Sequence, residues 1–146
     1  MATYKTTVQS TMSAHEAFAF MADLRNFAVW DPGVVKVTQV QGDGPGPDTV
    51  FDVVVKTGGR VATLRYRTTI FDAPHSVTVR GKNALLTSVD TVTVVPNEHG
   101  CDVTYIAELT FNGLLKPADV FLRAAFQKIG DRAAEGLRRS LTTSIS

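Results

Sequence analysis

The C-terminal part of the chain carries the pattern that most restricts its fold, that of a long amphipathic helix. Apolar residues recur there at intervals of three and four: Phe121, Leu122, Ala125, Ile129, Ala133, Leu137 and Leu141. This spacing places apolar side chains along one side of a helix. Pro117 suits the first turn and Asp119 complements the helix dipole, so a helix is predicted over residues 117–142. At about 1.5 Å per residue it measures on the order of 38 Å, long enough to cross a whole sheet.

Residues 34–111 show strand patterns that are separated by turns rich in Gly, Pro and Asp. Gly58 and Gly59 in "TGGR" predict a two-residue hairpin, because the favoured turns need a positive φ that glycine adopts easily. Pairing residue 57 with residue 60 then predicts an apolar inner face and a charged outer face. The expected inner pairs are Phe51–Tyr66, Val53–Leu64 and Val55–Ala62, and the expected outer pair is Asp52–Arg65.

A second, longer hairpin is predicted from "LLTSVDTVTVV" and "CDVTYIAELTF" across "PNEHG". With a four-residue loop, Val95 pairs with Gly100. The inner face of this hairpin then holds Leu86, Ser88, Asp90, Val92, Val94, Val103, Tyr105, Ala107, Leu109 and Phe111. A register slip of one residue would turn Asp90 to the opposite face.

Two short helices are predicted near the N-terminus, after a first strand within residues 3–11. Ser13 and Glu16 have the spacing of a capping box, which predicts a helix that starts at about residue 14. Asp23 is expected to cap a second short helix through "LRNFA", which Pro32 and Gly33 end.

Composition narrows the class of protein. The chain has 146 residues, of which 44% are hydrophobic, as expected for one globular domain over residues 1–146. A net charge of +1 gives no strong field, which argues against nucleic acid or an anionic membrane as a partner. We find no signal-peptide pattern and no run of about 20 apolar residues, so we expect a cytoplasmic protein without a membrane span.

Patterns for metals, cofactors and nucleophiles are lacking. His15, His75 and His99 have no metal-ligand spacing, and the glycine-rich stretches lack the strand-to-helix context of a phosphate loop. Cys101 is the single cysteine and is expected to be a buried structural thiol. The sequence therefore predicts neither a metal nor another cofactor.

Three stretches resemble a known superfamily: "SAHEAFAFMADLRNFAVWDPGVVKV", "TSVDTVTVVPNEHGCDVTYIAELTFNGLL" and "FQKIGDRAAEGLRRSL". They resemble the polyketide cyclase/dehydrase branch of the START and birch-pollen-allergen superfamily, whose members are also called SRPBCC proteins. The resemblance spans essentially the whole chain and implies an α+β helix-grip fold. In that fold a seven-stranded, curved antiparallel sheet wraps around the long C-terminal helix, two short helices lie between strands 1 and 2, and an internal cavity remains. Because the superfamily includes carriers, receptors and enzymes, the fold alone does not indicate an activity.

Asp90 and Tyr105 are the candidate catalytic residues. An inward carboxyl group is desolvated, which raises its pKa and suits it to general acid or base chemistry, with the Tyr105 hydroxyl as a hydrogen-bond donor. Alternatively, Asp90 is a buried group that a hydroxyl or the backbone merely satisfies. The expected ligand-binding residues on the cavity walls are Trp30, Phe51, Leu64, Tyr66, Val92, Leu109, Phe121, Leu122 and Ala125.

Several positions allow two interpretations. Trp30 either closes over a bound molecule at the cavity rim or plugs the end of the sheet against the helices. Arg123 and Gln127, one helical turn apart, either reach a polar ligand head or face water. Gly130 costs roughly 1 kcal/mol in a helix interior, so we expect a close neighbour, either the sheet or a second subunit. The chain is accordingly expected to be a monomer or a homodimer.

Three functions fit these observations. The first is binding of a hydrophobic small molecule, such as a lipid, polyketide or isoprenoid-like compound, in the cavity. The second is a cyclase or dehydratase that uses Asp90 and Tyr105. The third is an interaction module whose exposed helix or sheet edge binds a protein without a ligand.

Overall fold

The computed structural model of the chain describes residues 2–57, 59–112 and 119–142, with the backbone alone at residues 57 and 119–125. Its strands are β1 (Ala2–Ser10), β2 (Val34–Gln41), β3 (Val50–Thr57), β4 (Arg60–Asp72), β5 (Ser76–Lys82), β6 (Leu86–Asn97) and β7 (Gly100–Phe111). Its helices are α1 (Ala14–Ala22), a 3₁₀ turn (Leu24–Asn26), α2 (Phe27–Trp30) and α3 (Asp119–Thr142). The order of strand, short helices, six strands and long helix is the predicted one.

The seven strands form one antiparallel sheet in the order β1-β7-β6-β5-β4-β3-β2. Each strand pairs with its chain neighbour, except that β1 pairs with β7 at the far side of the sheet. The sheet is curved, and α3 packs against β1 and α2. The face toward the helices is called the inner face below. The predicted seven-stranded helix-grip architecture is confirmed.

The predicted caps hold the two short helical segments in place. Ser13 Oγ accepts a hydrogen bond from the Glu16 amide at 3.2 Å, and Glu16 Oε1 accepts one from the Ser13 amide at 3.4 Å. Asp23 Oδ1 accepts from the Arg25 amide at 3.1 Å and so caps the 3₁₀ turn. These caps start the segments that carry the buried rings of Phe27 and Trp30 onto the inner face.

The hairpin of β3 and β4 has the predicted register. Residue 57 pairs with residue 60, Phe51 lies opposite Tyr66, and Asp52 lies opposite Arg65. The inner residue Phe51 is fully buried, while Arg65 forms an ion pair with Asp52 on the outer face at 2.8 Å. Strict alternation along the two strands therefore separates the apolar side chains from the charged ones.

The predicted register of β6 and β7 is wrong by two residues. Asn97, not Val95, pairs with Gly100, so the loop is shorter than four residues and β6 runs through Pro96. A proline is tolerated there because β5 stops pairing with β6 at Thr93, so no neighbour needs the missing N–H. A shift of two residues keeps each side chain on its face, so Asp90 still points inward.

The long helix α3 ends at residue 142, as predicted, while the expected start at residues 117–118 lies outside the described residues. Its close neighbour at Gly130 is the ring of Tyr4 in β1, where an added Cβ would overlap the ring. Gly136 likewise lies against the Trp30 carbonyl group of α2. The sheet and α2, rather than a second subunit, therefore explain these glycines. Within the described ranges, no helix combines the length and the apolar content that a membrane crossing requires.

Candidate functional site

A cavity of about 160 Å³ opens on the inner face between the sheet and the helices. Strands β3, β4, β6 and β7 supply most of its wall, and α3 closes it with Phe126 and Ile129. Its apolar lining includes Val34, Val53, Val55, Leu64, Leu86, Ala107 and Leu109, and its polar lining includes Asp31, Tyr66, Ser88, Asp90 and Tyr105. The wall of the cavity is thus mostly apolar and carries a small number of polar side chains.

Four of these polar groups lie together, three of them joined by hydrogen bonds, and we call them the inner polar chain: Tyr66, Ser88, Asp90 and Tyr105. The Tyr105 hydroxyl donates to Asp90 Oδ2 at 2.6 Å, and the Ser88 hydroxyl donates to Asp90 Oδ1 at 2.7 Å. Tyr66 lines the same cavity, and the neighbouring Ser88 hydroxyl lowers the pKa of Tyr66. Because inward residues alternate along each strand, β4, β6 and β7 bring these side chains together across the sheet.

The carboxyl group of Asp90 accepts both of these hydrogen bonds and is the acidic group of the inner polar chain. Burial raises its pKa to about 6, the hydrogen bonds from Tyr105 and Ser88 oppose that rise, and the charge of Asp31 adds to it. Asp90 is 3% exposed, so little water solvates its charged form. A carboxyl group with this pKa can both accept and release a proton near neutral pH.

The two tyrosines have the opposite character. Burial, followed by the charge of Asp90, raises the pKa of both Tyr66 and Tyr105 well above the ordinary value. Their hydroxyl groups therefore keep their protons at neutral pH. Tyr105 already donates its proton to Asp90, and the oxygen of each tyrosine can still accept a hydrogen bond.

Asp31 lines the same cavity, and the sequence analysis missed it. Burial raises the pKa of its carboxyl group. The backbone N–H of Gly33 donates a hydrogen bond to Asp31 Oδ1 at 2.9 Å, and this bond lowers the pKa. The motif "WDPG" indicated only a turn, and the bond from Gly33 to Asp31 is part of that turn. No local signal shows that the turn sits at the cavity, because the docking of α2 on the sheet places it there.

Trp30 is 2% exposed and lies behind Tyr105, outside the cavity lining. Its ring meets the Tyr105 ring edge-on with centroids 5.4 Å apart, and the Phe27 ring in the same way at 5.1 Å. The indole N–H finds no hydrogen-bond acceptor among the described residues. Trp30 thus fixes the Tyr105 ring in position, and direct contact with a ligand stays a prediction.

The other predicted ligand-binding residues divide into three groups. Leu64, Tyr66 and Leu109 line the cavity. Phe51 and Val92 are buried in the adjacent core without lining it. The side chains of Phe121, Leu122 and Ala125, and that of Arg123, lie outside the described residues.

Gln127 is exposed and donates to Asp131 Oδ1 at 3.3 Å, which matches the water-facing interpretation. Phe27 of α2 and Phe126 of α3 line the cavity and were not expected there. Phe126 is four residues after Leu122 and three before Ile129, so the apolar spacing of α3 was a signal that could have found it.

The lining has no counter-charge among the residues that the structure describes. None of those that face the cavity is basic. In the same described ranges, no group of three His, Cys, Asp or Glu side chains is arranged to hold a metal ion. The chemistry of the site is therefore that of carboxyl and hydroxyl groups in apolar surroundings.

Comparison with known families places this site in context. Residues 1–142 match the family described as "Polyketide cyclase / dehydrase and lipid transport". The chain belongs to this family. A comparison with curated protein sequences finds no match.

This member of the polyketide cyclase/dehydrase family shares its fold with several solved structures. A START superfamily protein from Mycobacterium smegmatis superposes over 100% of both chains with a TM-score of 0.77 and 11% identity. Zhui aromatase/cyclase from Streptomyces sp. R1128 superposes with a TM-score of 0.65 and 14% identity, covering 94% of each chain.

A larger neighbour is the di-domain ARO/CYC StfQ from the steffimycin biosynthetic pathway, with a TM-score of 0.70 and 12% identity. The match covers 96% of this chain and 50% of StfQ, so the chain spans about half the length of that di-domain protein. At such identities the likeness establishes the shared fold, and the residues of each cavity have to be considered separately.

Proposed function

We propose that this chain binds a hydrophobic small molecule of the lipid, polyketide or isoprenoid type in the cavity between the sheet and α3. The observation that carries the proposal is the inner polar chain of Tyr66, Ser88, Asp90 and Tyr105 set in apolar walls. Small-molecule sites typically combine such walls with a few polar groups that orient the ligand. Membership of a family that includes lipid transport and polyketide chemistry supports the same class of ligand.

The size of the cavity limits what enters it. Its volume of about 160 Å³ is close to that of an apolar cavity of roughly 150 Å³ that accommodates benzene. Pockets for drug-sized ligands measure about 300–1,000 Å³. We therefore expect the bound group to be one aromatic ring or one short branched isoprenoid unit, either a whole ligand or the end of a longer one.

The polar chain favours a neutral ligand that carries a hydroxyl or carbonyl group. Tyr105 uses its proton on Asp90, so its oxygen is left to accept from a ligand hydroxyl. Asp31 and Asp90 disfavour an anionic ligand, because no basic residue of the described lining offsets them. A ligand hydroxyl near Tyr105 and a ring against Leu64 and Leu109 satisfy both parts of the wall.

Intrinsic fluorescence offers a direct test, because Trp30 is the single tryptophan and lies 5.4 Å from Tyr105. We would titrate the chain with p-cresol, with toluene and with p-toluate, which share one ring and differ in their polar group. Saturable binding of p-cresol, with weaker binding of toluene and weakest of p-toluate, is the expected order. Equal binding of p-toluate would contradict the proposed polarity of the site.

A filled cavity provides the matched control. Ala107→Met puts a larger side chain into the lining, while Glu108→Met makes the adjacent change on the exposed face of the same strand. We expect Ala107→Met to weaken p-cresol binding by roughly tenfold or more, and Glu108→Met to leave it unchanged. Native mass spectrometry of the protein from its own host would then identify the natural ligand.

A second candidate function is a cyclase or dehydratase, which the 2.6 Å bond from Tyr105 to Asp90 favours. The Asp90 carboxylate would take a proton from the carbon beside a substrate carbonyl group, while a tyrosine hydroxyl hydrogen-bonds to the carbonyl oxygen. A pKa of about 6 suits such an exchange near neutral pH.

Asp90→Asn distinguishes the two functions, with the exposed Asp72→Asn as the control for loss of one carboxylate. A binding protein should keep its ligand in both variants. An enzyme of this type should retain binding in Asp90→Asn and lose turnover by about a hundredfold or more.

A further inference from the structure

The outer face of β4 and β5 carries a dense group of cations. Arg67 lies directly opposite Arg80, and Arg65 lies directly opposite Lys82. Opposite residues in an antiparallel pair are about 5 Å apart, and successive outward residues on one strand are about 7 Å apart. Four long cationic side chains therefore start from an area only a few residues wide. We call Arg65, Arg67, Arg80 and Lys82 the outer cation group.

The group is only partly neutralised. Arg65 holds the carboxylate of Asp52 with two hydrogen bonds, at 2.8 and 3.0 Å. Arg67, Arg80 and Lys82 form no ion pair with any residue in the described ranges, although all three are exposed. Like charges placed directly opposite each other destabilise a sheet. The whole chain has a net charge of only +1. Three unpaired cations on one surface therefore concentrate positive charge there.

These side chains border a groove of about 670 Å³, larger than the inner cavity. Asn83 and Asn112 also line this groove, and the side chains of both form hydrogen bonds with neighbouring residues. Asn83 Oδ1 accepts from the amides of Leu85 and Leu86, and Asn112 Oδ1 accepts from Thr87 Oγ1. These hydrogen bonds hold the two asparagine side chains in place. The charged side chains of the groove that remain available to bind a ligand are the unpaired cations.

We propose that this groove binds the phosphate or diphosphate group of a soluble small molecule. The planar guanidinium groups of Arg67 and Arg80 match phosphate oxygens in pairs, and Lys82 adds a compact charge beside them. A dianionic group would also remove the repulsion across the Arg67–Arg80 pair. The clustering of the cations within two strands suits a compact anion better than the extended track of charges that a nucleic acid needs. The groove lies on the opposite face from the cavity, so this site is independent of the function proposed above.

Calorimetric titration with pyrophosphate, at constant ionic strength maintained with chloride, tests the proposal. We expect saturable binding to the unmodified chain, weakened by roughly tenfold or more in Arg67→Gln and in Arg80→Gln. Lys5→Gln is the matched control, since it removes one exposed cation from β1, an edge strand that does not pair with β4 or β5. It should bind pyrophosphate like the unmodified chain.

Two outcomes would overturn the proposal: absence of saturable pyrophosphate binding, or an equal loss of binding in Lys5→Gln and Arg80→Gln. A vesicle arm separates a soluble ligand from a lipid surface. Cosedimentation with phosphatidylcholine vesicles that contain phosphatidic acid, without binding of free pyrophosphate, would assign the group to a membrane surface instead. Circular dichroism of each variant establishes that a change in binding is not a loss of fold.

Discussion

The two faces of β4 and β5 carry polar groups that meet opposite environments. On the inner face, Tyr66 lies opposite Gly81 and belongs to the buried inner polar chain with Ser88 and Asp90. On the outer face, one residue away along each strand, Arg67 and Arg80 lie opposite each other in water. The inner carboxyl group responds to burial with a raised pKa, whereas the outer cations are exposed to water. The environment of a position therefore sets the free-energy cost of placing a charged side chain there.

A charge moved from one face to the other should produce the largest effect. Val77 on β5 is 2% exposed, so Val77→Arg buries a cation that has no carboxylate partner at its position. We expect a loss of about 4 kcal/mol or more in the free energy of unfolding, measured with urea. Thr63→Arg places the same side chain on the outer face of β4 and should change stability by less than about 0.5 kcal/mol. Similar losses in both variants would contradict the distinction between the faces.

The pH dependence of stability should report on Asp90 with the next largest effect. In the folded chain Asp90 keeps its proton up to about pH 6, whereas in the unfolded chain it loses it near pH 4. Between these values the folded state binds more protons, so the contribution of Asp90 to stability is greatest below about pH 4 and falls as the pH rises. The total loss is about 3 kcal/mol by pH 7.

Asp90→Asn removes this titration. The difference in unfolding free energy between the unmodified chain and Asp90→Asn should therefore shift by about 2 kcal/mol in favour of the variant from pH 4 to pH 7. Asp72→Asn, at an exposed position, serves as the control. A difference that stays constant with pH would mean that Asp90 has an ordinary pKa in the folded chain.

Removal of the Tyr105 hydroxyl should have a smaller effect that depends on the charge of Asp90. Tyr105→Phe leaves Asp90 Oδ2 without its 2.6 Å donor, so we expect a loss of about 2 kcal/mol near pH 8, where Asp90 is charged. The pKa of Asp90 should rise further, because this hydrogen bond lowers it. Carboxyl resonances followed by NMR during a pH titration would measure that rise.

Tyr4→Phe is a fitting comparison, since Tyr4 also donates to a carboxylate, that of Asp131 at 2.9 Å. Asp131 is exposed, and water replaces the lost donor. We expect a loss of about 1 kcal/mol or less, without a dependence on the state of Asp90. Equal effects of the two substitutions would remove the argument that burial strengthens the inner hydrogen bonds.

The smallest effect is expected on the outer face and has the opposite sign. Arg80→Gln relieves the repulsion from Arg67, so in chloride buffer the variant should be as stable as the unmodified chain or more stable by about 0.2–1 kcal/mol. Thermal unfolding at low ionic strength would measure it, since salt screens the repulsion. A destabilised Arg80→Gln would indicate that Arg80 has a structural role.

Local patterns were sufficient to predict the elements and their faces. The Ser13–Glu16 capping box, the hairpin at residues 57–60 and the apolar spacing of α3 each depend on residues close in sequence. The inward position of Asp90 was also predicted, although the register of its hairpin was wrong by two residues. Alternation has a period of two, so an error of that size leaves the face of every side chain unchanged.

The sequence by itself therefore determined which elements form and which side of each strand is apolar, because both follow from periodicity and from contacts within a few residues. Only the tertiary structure decided that Asp31 reaches the cavity, that Trp30 supports Tyr105 from behind, and that the cavity measures about 160 Å³. It also decided that Arg67 meets Arg80 across two strands. These features depend on how distant segments dock and on the volume left between them, and side-chain spacing along one segment carries no information about either.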